Sequence, residues 1–241
     1  MSHWYNRVTQ QPNYTVIGKN GKERAVSLAD ARKDKDLVPG TTDIISEANR
    51  PQLTTWISEQ LLNTALDNPF NSAAESKEDY IKRISALNKE KSKLVMDKGS
   101  DIHDLIEQYF LGEALSLEDS KWGMAVVQVL NTECGQQDWI AEKSFATDKY
   151  GGKVDLHCTF YIVDFKTTEK PLDKVDVYDS HFMQLAAYRQ GLGLASAQCG
   201  IVYVNSLSAE AKLIWVSEKD MMKGYAMFRS LLNFWFARTG L

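Results

Sequence analysis

The sequence predicts an α/β (α+β) fold in which a mostly helical N-terminal part precedes a sheet core. Apolar residues recur at helical spacing through much of the first half of the chain. After Gly135 the pattern changes to short apolar runs that are typical of strands. We therefore expect a single domain over residues 1–241, with residues 1–135 mainly helical and residues 136–241 forming the sheet core.

The N-terminal helices are bounded by residues that start or stop helices. Residues 30–40 are charged and end in Pro-Gly, which indicates a loop. Ser76, with Asp79 three residues later, resembles a capping box at the start of a helix. The predicted helices span residues 44–48, 53–65, 77–87, 102–110 and 117–130.

Beyond Gly135 the sequence predicts strands, a helix, two more strands and a last helix. Tyr150-Gly151-Gly152 indicates a turn, whereas the six residues from Leu156 to Tyr161 contain no Gly, Pro or Asn and specify no turn type. Ser217 is the predicted cap of the last helix. That helix is expected to face inward through Met222, Tyr225, Phe228 and Leu232. The predicted strands span residues 139–145, 154–160, 161–165, 200–205 and 212–216, and the helices span 179–191 and 218–238.

Two carboxylates lie in the second and third of these strands, and a lysine directly follows the third. Because strand side chains alternate between faces, Asp164 and Lys166 project from the same face. Pairing of the two strands would bring Asp155 beside them. Two carboxylates about 4 Å apart would repel by roughly 4 kcal/mol at an effective dielectric near 20, and a divalent cation relieves that repulsion. The sequence therefore predicts a metal site with a lysine beside it.

Four short elements of the chain occur in an order that resembles the PD-(D/E)xK nuclease superfamily. The likeness is to its RecB-like exonuclease branch, which includes phage-type and mitochondrial genome-maintenance exonucleases. Each element alone is a weak signal, whereas the four in order form a specific one. The resemblance implies a restriction-endonuclease-like core, with a central mixed sheet flanked by helices. The four elements are Gly99-Ser100-Asp101-Ile102-His103, Gly152-Lys153-Val154-Asp155, Asp164-Phe165-Lys166 and Gln184-Leu185-Ala186-Ala187-Tyr188.

The same resemblance implies a set of metal ligands and a catalytic lysine. Asp155, Asp164 and the Phe165 carbonyl would hold Mg²⁺ or Mn²⁺, and Lys166 would position or deprotonate the attacking water. His103 is a further candidate ligand, whose imidazole favours manganese over magnesium. The alternatives are exposed strand carboxylates, a Lys166–Asp164 ion pair that only neutralises the aspartate, and a structural histidine.

Three further residues are candidates on weaker grounds. Glu142 lies where relatives often carry an acid on the first strand, so it is either another metal ligand or a surface glutamate. Gln184 and Tyr188 are four residues apart and share a helical face. In the family they would lie near the metals or the DNA backbone, and the alternative is that they line a helix–sheet interface.

The charge balance limits how the chain can bind nucleic acid. The net charge is −4, so binding cannot rest on a globally basic surface and would need a local patch. One basic segment lies just before the histidine element, and its alternative is a solvated helix face. The candidate contacts are Lys82, Arg83, Lys89, Lys91, Lys93 and Lys98, with Tyr80 to stack on a base.

These residues together lead us to expect a metal-dependent DNA exonuclease. Its substrate would be single-stranded DNA or DNA with free ends, in replication, recombination or repair, and a single-strand-annealing or replication protein is a candidate partner. Three alternatives stay open: a site-specific endonuclease, a catalytically silent DNA-end-binding protein, and a structural α+β protein whose Asp-x-Lys is a surface ion pair.

The composition is that of an ordinary soluble globular protein. Of 241 residues, 44% are hydrophobic, and no run reaches the length of a membrane span. The first residues lack a secretory hydrophobic core, so we expect a bacterial or phage-infected cytoplasm and no membrane partner. Cys134, Cys158 and Cys199 are scattered, which argues against a disulfide framework. An iron–sulfur cluster normally needs four thiolates, so none is expected.

Overall fold

The N-terminal part of the chain forms short strands and helices. The computed structural model describes residues 3–49 and 51–241, apart from the side chain of residue 52. The strand β1 pairs with β2 and β5 on its two sides, and β3 pairs with β4. The elements are β1 (Trp4–Asn6), β2 (Gln11–Pro12), β3 (Thr15–Ile17), β4 (Glu23–Ala25), α1 (Leu28–Ala31), β5 (Leu37–Pro39) and α2 (Thr41–Ile45).

Two predictions for this region are wrong. The expected loop over residues 30–40 contains the end of α1 and all of β5, and the helix expected at 44–48 lies at Thr41–Ile45. The Asp30 side chain accepts hydrogen bonds from the Ser27 N–H and hydroxyl, which starts α1. β5 is buried and pairs with a distant segment, β1. A three-residue strand of this kind has too short a pattern to be read locally.

Three longer helices follow. The contacts divide the chain into two compact units, one of Met1–Ala48 with His103–Leu241 and one of Asn49–Ile102. Ser76 caps the second long helix as predicted, since its Oγ accepts a hydrogen bond from the Asp79 N–H at 3.1 Å. The helices are α3 (Pro51–Asp67), α4 (Lys77–Phe110) and α5 (Leu117–Cys134).

The prediction of two separate helices between residues 77 and 110 is wrong. α4 continues through Gly99 and Ser100 without a break over 34 residues. A glycine inside a helix costs only about 1 kcal/mol relative to alanine, which the rest of a long helix can offset. The His103 element is therefore presented by a continuous helix.

A mixed sheet follows, and it confirms the predicted fold class. Its order over the described residues is β10-β9-β8-β7-β6, in which β8 and β9 are parallel and the other neighbours are antiparallel. The parallel pair is connected through α6, as parallel strands require a crossover. The elements are β6 (Ile140–Ala146), β7 (Gly151–His157), β8 (Tyr161–Thr168), α6 (Asp179–Gly191), β9 (Gln198–Asn205), β10 (Ala211–Trp215) and α7 (Glu218–Thr239).

The two turns that flank β7 differ from the expected ones. The turn predicted at residues 150–152 lies instead at residues 147–150. The Thr147 N–H donates to the Tyr150 carbonyl there, at 2.8 Å. Gly151 and Gly152 belong to the strand itself. The next connection is tight, since the Cys158 N–H donates to the Tyr161 carbonyl at 2.9 Å.

Helices cover both faces of the sheet at β8. Neighbouring residues on a strand point to opposite faces. The Phe165 ring lies 5.7 Å from that of His103 and 6.3 Å from that of Phe110, both on α4. Lys166 points the other way, to Gln184 on α6. β8 therefore directs Phe165 towards α4 on one face and Lys166 towards α6 on the other.

The apolar core lies between the sheet, α6 and α7. Ile162 and Ile201 of the sheet pack in one buried cluster with Leu185 and Phe228 of the helices. The inward face of α7 is partly mispredicted, because Met222 is exposed and other α7 residues fill the core. The buried α7 side chains include Met221, Phe228, Leu232 and Trp235.

Gly224 allows α6 and α7 to approach closely. A Cβ at this position would lie 2.5 Å from the backbone carbon and oxygen of Phe182 on α6. We expect Gly224→Ala to lower the free energy of unfolding by about 1–3 kcal/mol through overpacking, although alanine is the better helix former. Urea denaturation measures this. The exposed Ser230→Ala on the same helix is the control, and a Gly224→Ala variant as stable as the parent would contradict the close approach.

Candidate metal centre

The pairing of β7 with β8 ends at Asp155. Leu156 pairs with Val163 and His157 with Ile162. Two residues beyond Val163 on β8, the Phe165 N–H instead donates to Asp155 Oδ2, at 2.7 Å. A side chain thus takes the place of a main-chain acceptor. The bond buries the Asp155 carboxylate at the point where the strands diverge.

Residues near the N-terminus pack against the part of β7 that is not paired with β8. Gly40 forms a parallel bridge with Gly151, and the Thr41 hydroxyl donates to the Gly151 carbonyl at 2.9 Å. The Tyr5 side chain lies against Gly151 so closely that a Cβ there would be 2.5 Å from it. Only glycine fits at this contact, which explains one of the two glycines before Asp155.

Glu142 has a strained backbone in the middle of β6. Its φ of 54° lies in the left-handed region, which a non-glycine residue rarely adopts inside a strand. The pairs on either side, Ala141–Leu156 and Lys143–Val154, are regular, so Glu142 lies opposite Asp155. Strain of this kind costs of order 1–3 kcal/mol and is concentrated at functional sites.

His103, Glu142 and Asp155 come together at this point. One ligand atom of each lies within 4.8 Å of those of the other two, and His103 Nε2 is 3.1 Å from Asp155 Oδ2. Both Glu142 oxygens are buried and accept no hydrogen bond from the described residues. Two carboxylates and an imidazole are suitable ligands for a divalent ion. This group could therefore hold a metal.

Asp164 and Lys166 form the second part of the site. Lys166 Nζ lies 2.5 Å from Asp164 Oδ2 and donates to Gln184 Oε1 at 3.3 Å. The Gln184 amide in turn donates to the Tyr188 hydroxyl at 2.9 Å. Asp164 is 1% exposed, and it lies outside the set whose ligand atoms are all within 4.8 Å. The predicted residues thus form two adjoining groups.

The two aspartates have pKa values that move in opposite directions. Burial acts to raise the pKa of Asp155, but the hydrogen bond and charge of His103, the charge of Lys166 and the Phe165 amide outweigh it and hold it below its usual value. Burial raises the pKa of Asp164 to about 6, with Lys166 opposing the shift and Asp155 adding to it. Asp155 therefore stays ionised to lower pH than Asp164 does.

The carboxylates raise the pKa values of the two basic groups beside them. Burial acts to lower the pKa of His103, but the hydrogen bond to Asp155 and the charges of Asp155 and Asp164 outweigh it, and the net shift is upward. The pKa of Lys166 shifts upward in the same way, because the two aspartates raise it by more than burial lowers it. Burial raises the Tyr188 pKa well above its usual value, so its phenol stays neutral.

The predicted nucleic-acid contacts lie in the unit Asn49–Ile102, whereas the residues above belong to the other unit. Several of these contacts are engaged within their own unit. Arg83 pairs with Glu75 at 2.6 Å, and Lys91 with Asp67 at 3.3 Å. Tyr80 packs on Phe70 at 5.3 Å and donates to the Ala65 carbonyl at 3.2 Å. Exposed side chains are also found at Lys82, Lys89, Lys93 and Lys98.

The sequence analysis missed one residue at the metal centre. Lys153 lies inside the Gly152–Asp155 element, and its ammonium forms an ion pair with Glu142 Oε2. Its position two residues before Asp155 on the same strand was the available signal, because residues i and i+2 share a face.

Two other predictions concern features away from the site. Cys158 and Cys199 are buried and Cys134 is half-buried, while the absence of an iron–sulfur cluster stays a prediction. Across the described part of the chain, no helix has the length and apolar character needed to cross a membrane.

Comparisons with known proteins give distant structural likenesses. No protein-family model and no curated protein matches the chain. The solved structure of a Eubacterium rectale protein named "Putative exonuclease" is 12% identical with a TM-score of 0.41, over 56% of this chain and 68% of that one. The structure of SSO0001 is 15% identical with a TM-score of 0.29, over 75% of this chain and 86% of that one. At these TM-scores neither likeness extends to function.

The upward pKa shifts of Asp164 and His103 predict how metal-free protein responds to pH. Both groups hold a proton more tightly when folded, so the stability they contribute is present at low pH and is lost as pH rises through the folded pKa. We expect the free energy of unfolding in EDTA to fall from pH 5 to pH 8 by roughly 1–3 kcal/mol. Urea denaturation across this range measures it.

Asp164→Asn is the matched variant, since it cannot ionise. It should show a smaller fall over the same pH range, although not a flat profile. His103 remains, burial also raises the pKa of Asp43, and burial lowers the pKa of His157, which acts in the opposite direction. Equal slopes for the two proteins would contradict a raised Asp164 pKa.

Proposed function

We propose that the chain is a metal-dependent deoxyribonuclease of the PD-(D/E)xK type, an exonuclease that works from DNA ends. The observation that carries the proposal is the group formed by His103, Glu142 and Asp155, with ligand atoms within 4.8 Å of one another. The ion pair of Asp164 and Lys166 adjoins it. A metal site beside a half-buried lysine is suited to the hydrolysis of a phosphodiester.

The ligand set suits Mg²⁺ or Mn²⁺. Glu142 and Asp164 have buried oxygens that no described residue satisfies by a hydrogen bond, and in the metal-free chain each carboxylate has a lysine ammonium as its ion-pair partner. In the proposal Asp155, Glu142 and His103 hold the ion. Asp164 and the Phe165 carbonyl, which the family resemblance adds, complete the set. The imidazole makes Mn²⁺ the better-suited ion.

The bound ion supplies Lewis-acid polarisation of the phosphate and a more acidic bound water. The chain supplies the positioning. Asp164 and Gln184 hold the Lys166 ammonium from two sides, and Tyr188 orients the Gln184 amide. Because its pKa is raised, Lys166 in the metal-free chain is a cation that can donate to a phosphate oxygen or to the attacking water, rather than a base.

The preference for DNA ends has its own support. It is supported by the resemblance of the His103 element and of the Gln184–Tyr188 element to end-processing nucleases. The exposed lysines of the other unit, such as Lys82 and Lys93, offer contacts to a DNA backbone without base specificity. A role in replication, recombination or repair, in a cytoplasm, is proposed on the same basis.

Cleavage of end-labelled DNA tests the nuclease itself. We expect degradation with Mg²⁺ or Mn²⁺ and none with EDTA. Lys166→Ala and Asp164→Asn should each lower the rate by about 100-fold or more. The first removes the ammonium beside the reacting phosphate, and the second removes a carboxylate proposed to hold the metal. Lys149→Ala, an exposed lysine near β7, is the control for loss of one positive charge. Circular dichroism of each variant checks folding, and full activity of a folded Lys166→Ala would contradict the proposal.

DNA topology separates the exonuclease from an endonuclease. We expect linear single-stranded or duplex DNA to be degraded while covalently closed circles of the same sequence stay intact. One nick placed in the circle by another enzyme should restore degradation. Cutting of intact circles at discrete positions would favour a site-specific endonuclease instead.

A further inference from the structure

Lys153 occupies the part of the site that a metal would need. Its ammonium forms an ion pair with Glu142 Oε2. The Glu142 side chain is 9% exposed, whereas that of Lys153 is 40% exposed. A solvent-reaching cation is thus bound to a buried carboxylate that belongs to the candidate ligand group.

The ammonium and a divalent ion compete for the same oxygen atoms. Glu142 has no other cationic partner among the described residues, and its oxygens accept no hydrogen bond there. Two cations at a single buried carboxylate repel each other, and the repulsion is stronger in a partly buried site than in water. The lysine must therefore leave Glu142 when a metal binds there. Its long, half-exposed side chain can extend into solvent without burying the released charge.

We propose that Lys153 is an internal counter-ion that neutralises Glu142 in the metal-free protein and lowers the affinity of the site for a divalent cation. This inference rests on the metal site of the proposed function. Without the lysine, Glu142 would be a buried carboxylate with no cationic partner, which is strongly destabilising. Lys153 thus stabilises the empty site and opposes its filling.

A purely structural role for Lys153 predicts the opposite result. If the lysine served to hold Glu142 in its coordinating position, its removal would loosen the carboxylate and weaken metal binding. If it competes with the metal, its removal strengthens binding. The direction of the change in Mn²⁺ affinity therefore distinguishes the two roles without any measurement of activity.

Titration calorimetry with MnCl₂ on EDTA-stripped protein tests the inference. We expect Lys153→Met to bind Mn²⁺ roughly tenfold more tightly than the parent chain, or more. Lys153→Arg keeps the charge and should stay close to the parent. Lys149→Met removes an exposed lysine and controls for the change in net charge. Lys153→Gln, which also removes the charge, replaces the Met variant if that variant does not fold.

Thermal melting gives a second readout. Metal-free Lys153→Met should melt below the parent, and the rise in Tm on adding Mn²⁺ should be larger than in the parent. Unchanged or weaker Mn²⁺ binding by the variant, with clear binding by the parent, overturns the inference and leaves the metal site intact. Absence of Mn²⁺ binding by the parent and by every variant overturns the metal site itself, and the inference with it.

Discussion

The hydrogen bond from the Phe165 amide to Asp155 Oδ2 is the constraint on which the candidate site depends. It ends the pairing of β7 with β8 and keeps a carboxylate between the strands. Phe165 lies between Asp164 and Lys166 on β8, so the same bond sets the distance of both from Asp155. The opposite faces of β8 then direct Lys166 to α6 and the Phe165 ring to His103. One local substitution of a side chain for a main-chain acceptor thus organises residues from four elements.

The electrostatics of the site follow from how each carboxylate is satisfied. Asp155 receives an amide and the His103 ring and stays ionised despite its burial. Among the described residues Asp164 forms an ion pair with Lys166, and burial raises its pKa to about 6. The Glu142 carboxylate forms an ion pair with Lys153, whose side chain is partly exposed to solvent. In the metal-free chain each carboxylate is therefore paired with one basic side chain: Asp155 with His103, Asp164 with Lys166 and Glu142 with Lys153.

The sequence was informative where patterns are long and local. The helix at residues 179–191 and the strands of the sheet have clear periods, and the spacing of Asp164 and Lys166 places them together as expected. The short strands near the N-terminus could not be predicted, because each consists of two or three residues whose partner lies elsewhere in the chain. The Glu142–Lys153 pair depends on a backbone conformation that no propensity indicates, since glutamate rarely adopts a positive φ.

The N-terminal strands also act as a cover for an edge. The Gln10 side chain exchanges two hydrogen bonds with the backbone of Ala146, at 2.7 and 2.8 Å, and Thr41 occupies the Gly151 carbonyl. Without these contacts the same backbone groups would be exposed, and exposed strand edges pair with strands of other molecules. A chain trimmed to its last hundred or so residues would retain Asp155, Asp164 and Lys166. It would nevertheless expose the backbone groups of Ala146 and Gly151 and would be prone to aggregate.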